Sequence, residues 1–285
     1  MKVRFWGVRG SIPAPGPSTS RYGGNTPCVE LRAGGREIVV DAGTGLRGLG
    51  DALIKEKAGA PIEADLFVGH THWDHIQGLP FFVPLYMPGT KLTVHGVHGT
   101  TRSLREVLSG QMSSAYFPVR LDEAASKPRV EELSAPVELG PVKVSYHYLN
   151  HPGIAVGFRF EEGGRSVVYL SDHEPYDKLN AKGEFSRKED ADVARFAQGA
   201  DLLICEAQYT KDEYKLKKGW GHSTFDDVLD LAGKAGVKRL ALFHHDPSHD
   251  DDAMDALAAS CVRAAAARGE GLEVFAAREG QELSL

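Results

Sequence analysis

Cysteine is scarce in this chain of 285 residues: there are three, Cys28, Cys205 and Cys261, with no CxxC pair among them. So odd and scattered a set builds no disulfide framework and reads as small buried hydrophobes in a reducing compartment. No apolar run approaches the roughly 20 residues that a membrane-spanning helix needs. Met1–Gly7 lacks the long apolar stretch of a secretion signal and reads as a first strand. Nor is there an excess of basic charge. Thirty-three Lys and Arg stand against 39 Asp and Glu, a net charge of −6. Global charge therefore does not advertise a nucleic-acid partner, although a local basic rim is compatible with these numbers. Together these absences predict a cytoplasmic protein with no membrane segment. At 42% hydrophobic and 25% charged residues, a chain of this size buries roughly 75% of the surface its unfolded form exposes, so one large core needs no staples.

No repeat, low-complexity tract or linker divides the chain, and one domain over residues 1–285 is expected. The Gly-, Pro- and Ser-rich segment 9–26 reads as a long loop after the first strand. Val29–Leu31 and Glu37–Val40 flank a Gly-Gly turn and predict a hairpin. Leu46, Leu49, Leu53 and Ile54 fall at helical spacing. Short apolar runs at 65–68 and 91–94 predict strands, and residues 100–108 a helix capped by Thr100 or Thr101. Three more strands are expected at 142–149, 154–160 and 166–170. Then come a helix at 191–198, a strand at 202–204, a helix at 225–235 capped by Ser223 or Thr224, a strand at 239–243 and an Ala-rich helix at 251–267. The second half repeats the β-then-α order of the first. That order suggests two sheets packed face to face with helices outside.

Histidine is what the chain has in plenty, 12 in all. Three of them and a carboxylate share the hexapeptide His70-Thr71-His72-Trp73-Asp74-His75, directly after a predicted buried strand. A continuous helix or strand would not bring these side chains together, but a tight loop at a strand end can. His70 and His72 would then face one ion, and Asp74 and His75 another. Imidazole nitrogen and carboxylate oxygen suit Zn²⁺ first, with Mn²⁺ and Fe²⁺ as alternatives.

The hexapeptide resembles the HxHxDH signature of the metallo-β-lactamase superfamily, and the resemblance extends over essentially the whole chain. It implies an α/β fold, the four-layer αβ/βα sandwich of two mixed β-sheets, with the site at the sandwich edge. It also implies further positions. Asp41 in Val40-Asp41-Ala42-Gly43 resembles the early aspartate that orients the metal loop from behind. His151, Asp172 and His244 resemble the remaining ligands, with Asp172 bridging two ions. Two such ions lower the pKa of a shared water toward neutrality and neutralise charge developing on substrate oxygen.

The branch of the superfamily is narrowed by other residues. The bridging ligand is an aspartate with no cysteine near a ligand motif, unlike the cysteine-containing β-lactamase site. Only about forty residues follow His244, too few for the extra helical domain of glyoxalase-type thioesterases. Glu206, ending a predicted strand, and His222, before a predicted helix, resemble the Glu–His pair of ribonuclease Z-like phosphodiesterases. In that resemblance His222 protonates the leaving oxygen, and Glu206 orients it and raises its pKa. Asp74, His222 and Glu206 are thus the expected catalytic groups, Asp74 doubling as a ligand. The tRNA-gripping arm of true tRNA 3′-processing enzymes has no room between His151 and Asp172. A small phosphodiester is therefore the expected substrate, a 3′,5′-cyclic nucleotide in first place. RNA 3′-end cleavage and thioester or lactone hydrolysis are the alternatives, and a homodimer is expected. Arg9, Ser11 and Asn25, in a block similar to that of armless bacterial relatives, are either phosphate or ribose contacts or parts of a structural turn. His173 is expected to be a polar loop residue, and His245 and His249 a solvated rim. His95, His98 and His147 are expected to be structural.

Overall fold

The computed structural model describes residues 1–180, 183–269 and 271–285. Alternating apolar side chains build two seven-stranded sheets. The first contains β1 (Lys2–Gly7), β2 (Cys28–Ala33), β3 (Arg36–Val40), β4 (Glu63–Phe67), β5 (Lys91–Gly96), β6 (Arg129–Glu132) and β14 (Glu282–Ser284), in the order β14-β1-β2-β3-β4-β5-β6. The second contains β7 (Val137–Leu139), β8 (Val142–Leu149), β9 (Ala155–Glu162), β10 (Arg165–Leu170), β11 (Leu202–Glu206), β12 (Arg239–Phe243) and β13 (Glu273–Ala276), in the order β13-β12-β11-β10-β9-β8-β7. Both sheets are mixed: β3 to β6 run parallel in one and β10 to β13 in the other.

Period-2 patterning decides which side chain enters which layer. On β4 and β12, Phe67, Ala241 and Phe243 face the space between the sheets, where they meet Phe5, Phe158, Phe160 and Tyr169. Their alternates Leu66, Leu240 and Leu242 face outward. The first sheet is covered there by α1 (Gly45–Lys57) and α3 (Leu104–Gln111). The second is covered by α5 (Glu184–Phe196), α7 (Phe225–Ala235) and α8 (Asp251–Arg268). Short turns α2 (Trp73–Ile76), α4 (Tyr176–Leu179) and α6 (Lys211–Lys217) complete the helices. The result is the expected four-layer sandwich. No helix among the described residues is long and apolar enough to cross a membrane.

Two expected helices shift. The helix placed at 100–108 begins at Leu104, because Ser103 and Glu106 form a capping box and neither Thr100 nor Thr101 caps it. The helix placed at 191–198 begins seven residues earlier, at Glu184, in a charged stretch that carries little apolar periodicity. The β9–β10 connection is as short as predicted. Gly163 and Gly164 both take positive φ, 57° and 74°, as a two-residue hairpin turn requires.

The centre of the sandwich gives a first prediction. The Phe67 ring lies 5.3 Å from that of Phe158, 5.5 Å from that of Phe160 and 4.6 Å from that of His95. Phe67→Ala should lower unfolding free energy by about 3–5 kcal/mol, read from the urea midpoint at unchanged slope. A loss below about 1 kcal/mol would mean that the two sheets are not held together here.

Candidate metal centre

Parallel strands point their carboxyl ends the same way, so residues that follow them gather at one edge. Asp41 follows β3, His70 lies three residues past β4, Asp172 two past β10, and His244 directly past β12; Glu206 ends β11. β8 and β10 both flank the antiparallel β9, so their ends emerge together, and the β8–β9 turn delivers His151 to the same edge. Residues 70–75 form the tight loop and first turn of α2.

At that edge, donor atoms of His70, His72, His151 and Asp172 all lie within 4.8 Å of one another, as do those of Asp74, His75, Asp172 and His244. Asp172 belongs to both sets. Its Oδ2 lies 3.4 Å from His70 Nε2 and 3.6 Å from His151 Nε2. Its Oδ1 lies 3.3 Å from both His75 Nε2 and His244 Nε2. Each carboxylate oxygen thus serves one set.

Whether these residues fit cations is decided by where their protons must sit. His151 Nδ1 lies 2.9 Å from the Gly221 carbonyl, which can only accept, so Nδ1 donates and Nε2 turns a lone pair inward. His75 Nδ1 donates to Asp41 Oδ2 at 2.7 Å, and His244 Nδ1 to Gln208 Oε1 at 3.0 Å. Their Nε2 atoms then face each other at 3.3 Å beside Asp74 Oδ2. His70 Nε2 is buried with no hydrogen-bond partner. Acceptors converge on acceptors, an arrangement that a cation in each set would satisfy.

Protonation directions express the same crowding. Burial, reinforced by His75, pushes the His70 imidazole well down. Burial also opposes charge on His75, but Asp74, Asp172 and Asp41 outweigh it and hold that imidazole well above its usual range, a proton standing where positive charge is wanted. Asp172 is buried too, yet His244, His75 and His70 hold its carboxyl well below the carboxylate range.

Behind the cluster lie Asp41 and two residues, Gln208 and Glu174, that the sequence does not single out. Gln208, which orients His244, also donates from Nε2 to Ser11 Oγ at 3.2 Å. Glu174 is fully buried and accepts from Gly219 N, Gly221 N and the Tyr214 hydroxyl. It thereby fixes the loop whose Gly221 carbonyl orients His151. Asp41 accepts from Gly69 N at 2.8 Å and the Tyr169 hydroxyl at 2.6 Å besides His75. A neutral amide two residues past Glu206, or one more acid after Asp172-His173, carries no motif that could have marked it.

His222 and Glu206 adjoin the second set. The His222 ring lies 5.3 Å from that of His244 and 5.2 Å from that of His151. Its Nδ1 is 3.8 Å from Glu206 Oε2, too long for a hydrogen bond, and both atoms are buried without partners. Glu206 Oε1 accepts from Ser223 N and His173 N. The raised pKa expected for His222 is not found. Burial pushes it down to about 3, and burial beside Asp172 pushes Glu206 well up. At this separation desolvation outweighs the pairing.

Of the other expected positions, Ser11 donates its backbone N–H to Asp74 Oδ2 at 2.7 Å. Arg9 is fully buried and spent on the carbonyls of Gly23, Asp246 and His249, while Asn25 is bonded to Glu279 and Thr44. Those two serve the turn. His245 and His249 are buried, not a solvated rim: His245 donates to the Ala277 carbonyl and His249 to Glu213. The turn that Arg9 gathers covers them. His173 is likewise buried, its Nδ1 accepting from Asn150 N. His95 pairs with Asp65 and His147 stacks on Phe196, whereas His98 is exposed and donates to the neighbouring Gly99 carbonyl.

Residues 36–245 match the family model described as beta-lactamase superfamily domain. The chain is 26% identical to ribonuclease Z of Halobacterium salinarum, over 98% of this chain and 96% of that protein. Among solved structures, the metallo-beta-lactamase fold protein YhfI from Bacillus subtilis is 20% identical at a TM-score of 0.68, covering 99% of this chain and 98% of that one. Unliganded yeast PDE1 is 14% identical at 0.72, covering 100% and 99%. These likenesses and the converging donor sets make the protein a metal-dependent hydrolase, and with a family match over most of its length, the chain belongs to the beta-lactamase superfamily.

Proposed function

We propose that the chain is a dinuclear metal-dependent phosphodiesterase of small substrates, a 3′,5′-cyclic nucleotide in first place. The observation that carries this reading is the Glu206–His222 pair beside two complete donor sets, on the flank of His151 and His244. His70, His72 and His151 would hold one ion and Asp74, His75 and His244 the other, with Asp172 between them; Zn²⁺ is the ion such a donor set fits first. Bound there, the ions would supply an activated water near neutral pH and compensate charge on phosphoryl oxygen. The similarity to a ribonuclease Z supports phosphodiester chemistry.

His222 has the place of the proton donor. Its Nδ1 faces Glu206, which leaves Nε2 to deliver a proton to the leaving oxygen. Burial opposes the imidazolium, but an arriving phosphodiester brings negative charge that favours it. Thiolates leave without such help, which is why the pair favours a phosphodiester over a thioester. Large RNA is disfavoured because only β9, β10 and a two-residue turn separate His151 from Asp172, and net charge is −6.

Three measurements test the proposal. Elemental analysis of the purified enzyme should find about two transition ions per chain, and Asp172→Ala should reduce both together, since each of its oxygens serves one set. One ion or none in active wild-type protein would sink the dinuclear reading.

A panel of cyclic nucleotides, bis(p-nitrophenyl) phosphate, a thioester and a lactone addresses the chemistry. His222→Ala should slow cyclic-nucleotide hydrolysis about 10²–10⁴-fold. It should slow bis(p-nitrophenyl) phosphate far less, because p-nitrophenolate departs unprotonated, and metal content should hold. Glu206→Gln should follow the same pattern more mildly. Equal losses on both phosphodiesters would assign His222 a positioning role instead, and a lost ion would make it a ligand.

Precursor tRNA should be cleaved poorly beside a small phosphodiester. Efficient, site-specific 3′ trimming at low enzyme concentration would reverse the substrate assignment.

A further inference from the structure

The metal loop carries a large side chain that none of the chemistry above uses. Trp73 sits between His72 and Asp74, one from each donor set, with 68% of its surface exposed and no ring partner among the described residues. Exposing an indole in the middle of a ligand loop is unfavourable by itself, since a buried aromatic of this size contributes strongly to packing. Around it lie Phe81, 56% exposed, Tyr116, 77% exposed, and Phe117, whose ring meets Phe81 edge-on at 5.5 Å. These four aromatics line one cavity of about 380 Å³, within the range of about 300–1,000 Å³ typical of small-molecule sites. The same cavity is lined by Gln111, the last residue of α3, whose Nε2 is buried with no acceptor.

An unstacked indole, three further aromatic faces and an unused amide donor form a receptor for a flat heteroaromatic ring. A ring of that kind stacks on the faces and offers a ring nitrogen or carbonyl oxygen to the amide. Trp73, which lines the cavity, is flanked in the chain by His72 and Asp74, one from each donor set, so the cavity adjoins the metal loop. In a nucleotide a single sugar separates base from phosphate, so one ligand can engage both places. We propose that this cavity is the base subsite: the nucleobase of the phosphodiester stacks on Trp73, and Gln111 Nε2 donates to a base acceptor. The assignment rests on the phosphodiesterase reading and names the feature that would make nucleotides, rather than phosphodiesters at large, its substrates.

The metal-loaded enzyme, Trp73→Ala, Trp73→Phe and Gln111→Leu are compared on 3′,5′-cyclic AMP and on a base-free ribose cyclic phosphate. Stacking of a base on an aromatic ring is worth about 5- to 150-fold in binding. Trp73→Ala should therefore raise KM for cyclic AMP by a factor in that range with kcat little changed and the base-free substrate unaffected. Trp73→Phe should restore most of the loss, Gln111→Leu should raise KM more modestly, and metal content should be that of wild type throughout. Equal effects on the two substrates would overturn the assignment. Calorimetric titration with adenosine, which has no phosphate, keeps this test separate from the activity. If no phosphodiester is hydrolysed, the proposed function fails, while adenosine binding that weakens in Trp73→Ala still upholds the subsite. Adenosine that binds wild type and Trp73→Ala alike, or binds neither, overturns it.

Discussion

One carboxylate spaces and charges the whole edge of the sandwich. Asp172 meets four imidazole nitrogens at 3.3–3.6 Å, two through each oxygen. Four imidazoles crowd with Asp172, and with Asp41 and Asp74 at His75, in a buried space, which is tolerable only if positive charge is supplied, by protons or by cations. His75 takes the proton most readily because three carboxylates surround it. Every other feature of the edge follows from keeping Asp172 ionised and its neighbours turned inward.

Turning them inward is the task of groups outside the cluster. Each of His75, His151 and His244 has one nitrogen claimed by an outer acceptor: Asp41, the Gly221 carbonyl and Gln208. Those acceptors are themselves held, Asp41 by Gly69 and Tyr169, Gly221 by Glu174, and Gln208 by its bond to Ser11. Close packing completes the constraint. A Cβ on Gly10 would lie 2.4 Å from His244 Nδ1, so no larger residue fits there without displacing that ring. An imidazole fixed at both its nitrogen and its face has one orientation left, and that is what a precise ligand needs.

Much of this was legible in the sequence, for reasons that differ by element. Strands buried on both faces declare themselves through short continuous apolar runs, as in β4, β11 and β12, and the half-exposed β8 through alternation, so these strands and the residues just past their ends are legible. The hexapeptide was legible because three imidazoles in six residues have few other uses. What escaped notice acts through ordinary groups. Gln208 and Glu174 orient ligands by single hydrogen bonds that any amide or acid could make, so only the fold reveals them. His245 and His249 misled because a His-His-Asp-Pro-Ser-His stretch looks solvated. They are buried since Arg9, from the other end of the chain, reaches the Asp246 and His249 carbonyls and folds that loop inward. The helix at Glu184 starts earlier than apolar periodicity predicts for a related reason: its first turns are charged and bury little.

Backbone strain gathers at this same edge. Three of the five non-glycine residues with positive φ among the described positions are Ser11, Asp41 and His244, at 65°, 61° and 57°. Aspartate and histidine are among the side chains that tolerate this region best, yet each such residue still costs on the order of 1 kcal/mol. The strain is held because Val40, one residue before Asp41, is buried and paired in register on both sides, and Phe243, one before His244, is buried and paired with Glu206, so the turn has little freedom to relax backward into the strand. A left-handed residue immediately after a strand reverses the chain within one position and throws the side chain over the strand end instead of along it. That is how β3 and β12, in different sheets, aim Asp41 and His244 at the same few ångströms. Folding stability is therefore spent locally to obtain convergence, and the acceptors so gathered recover it when cations bind.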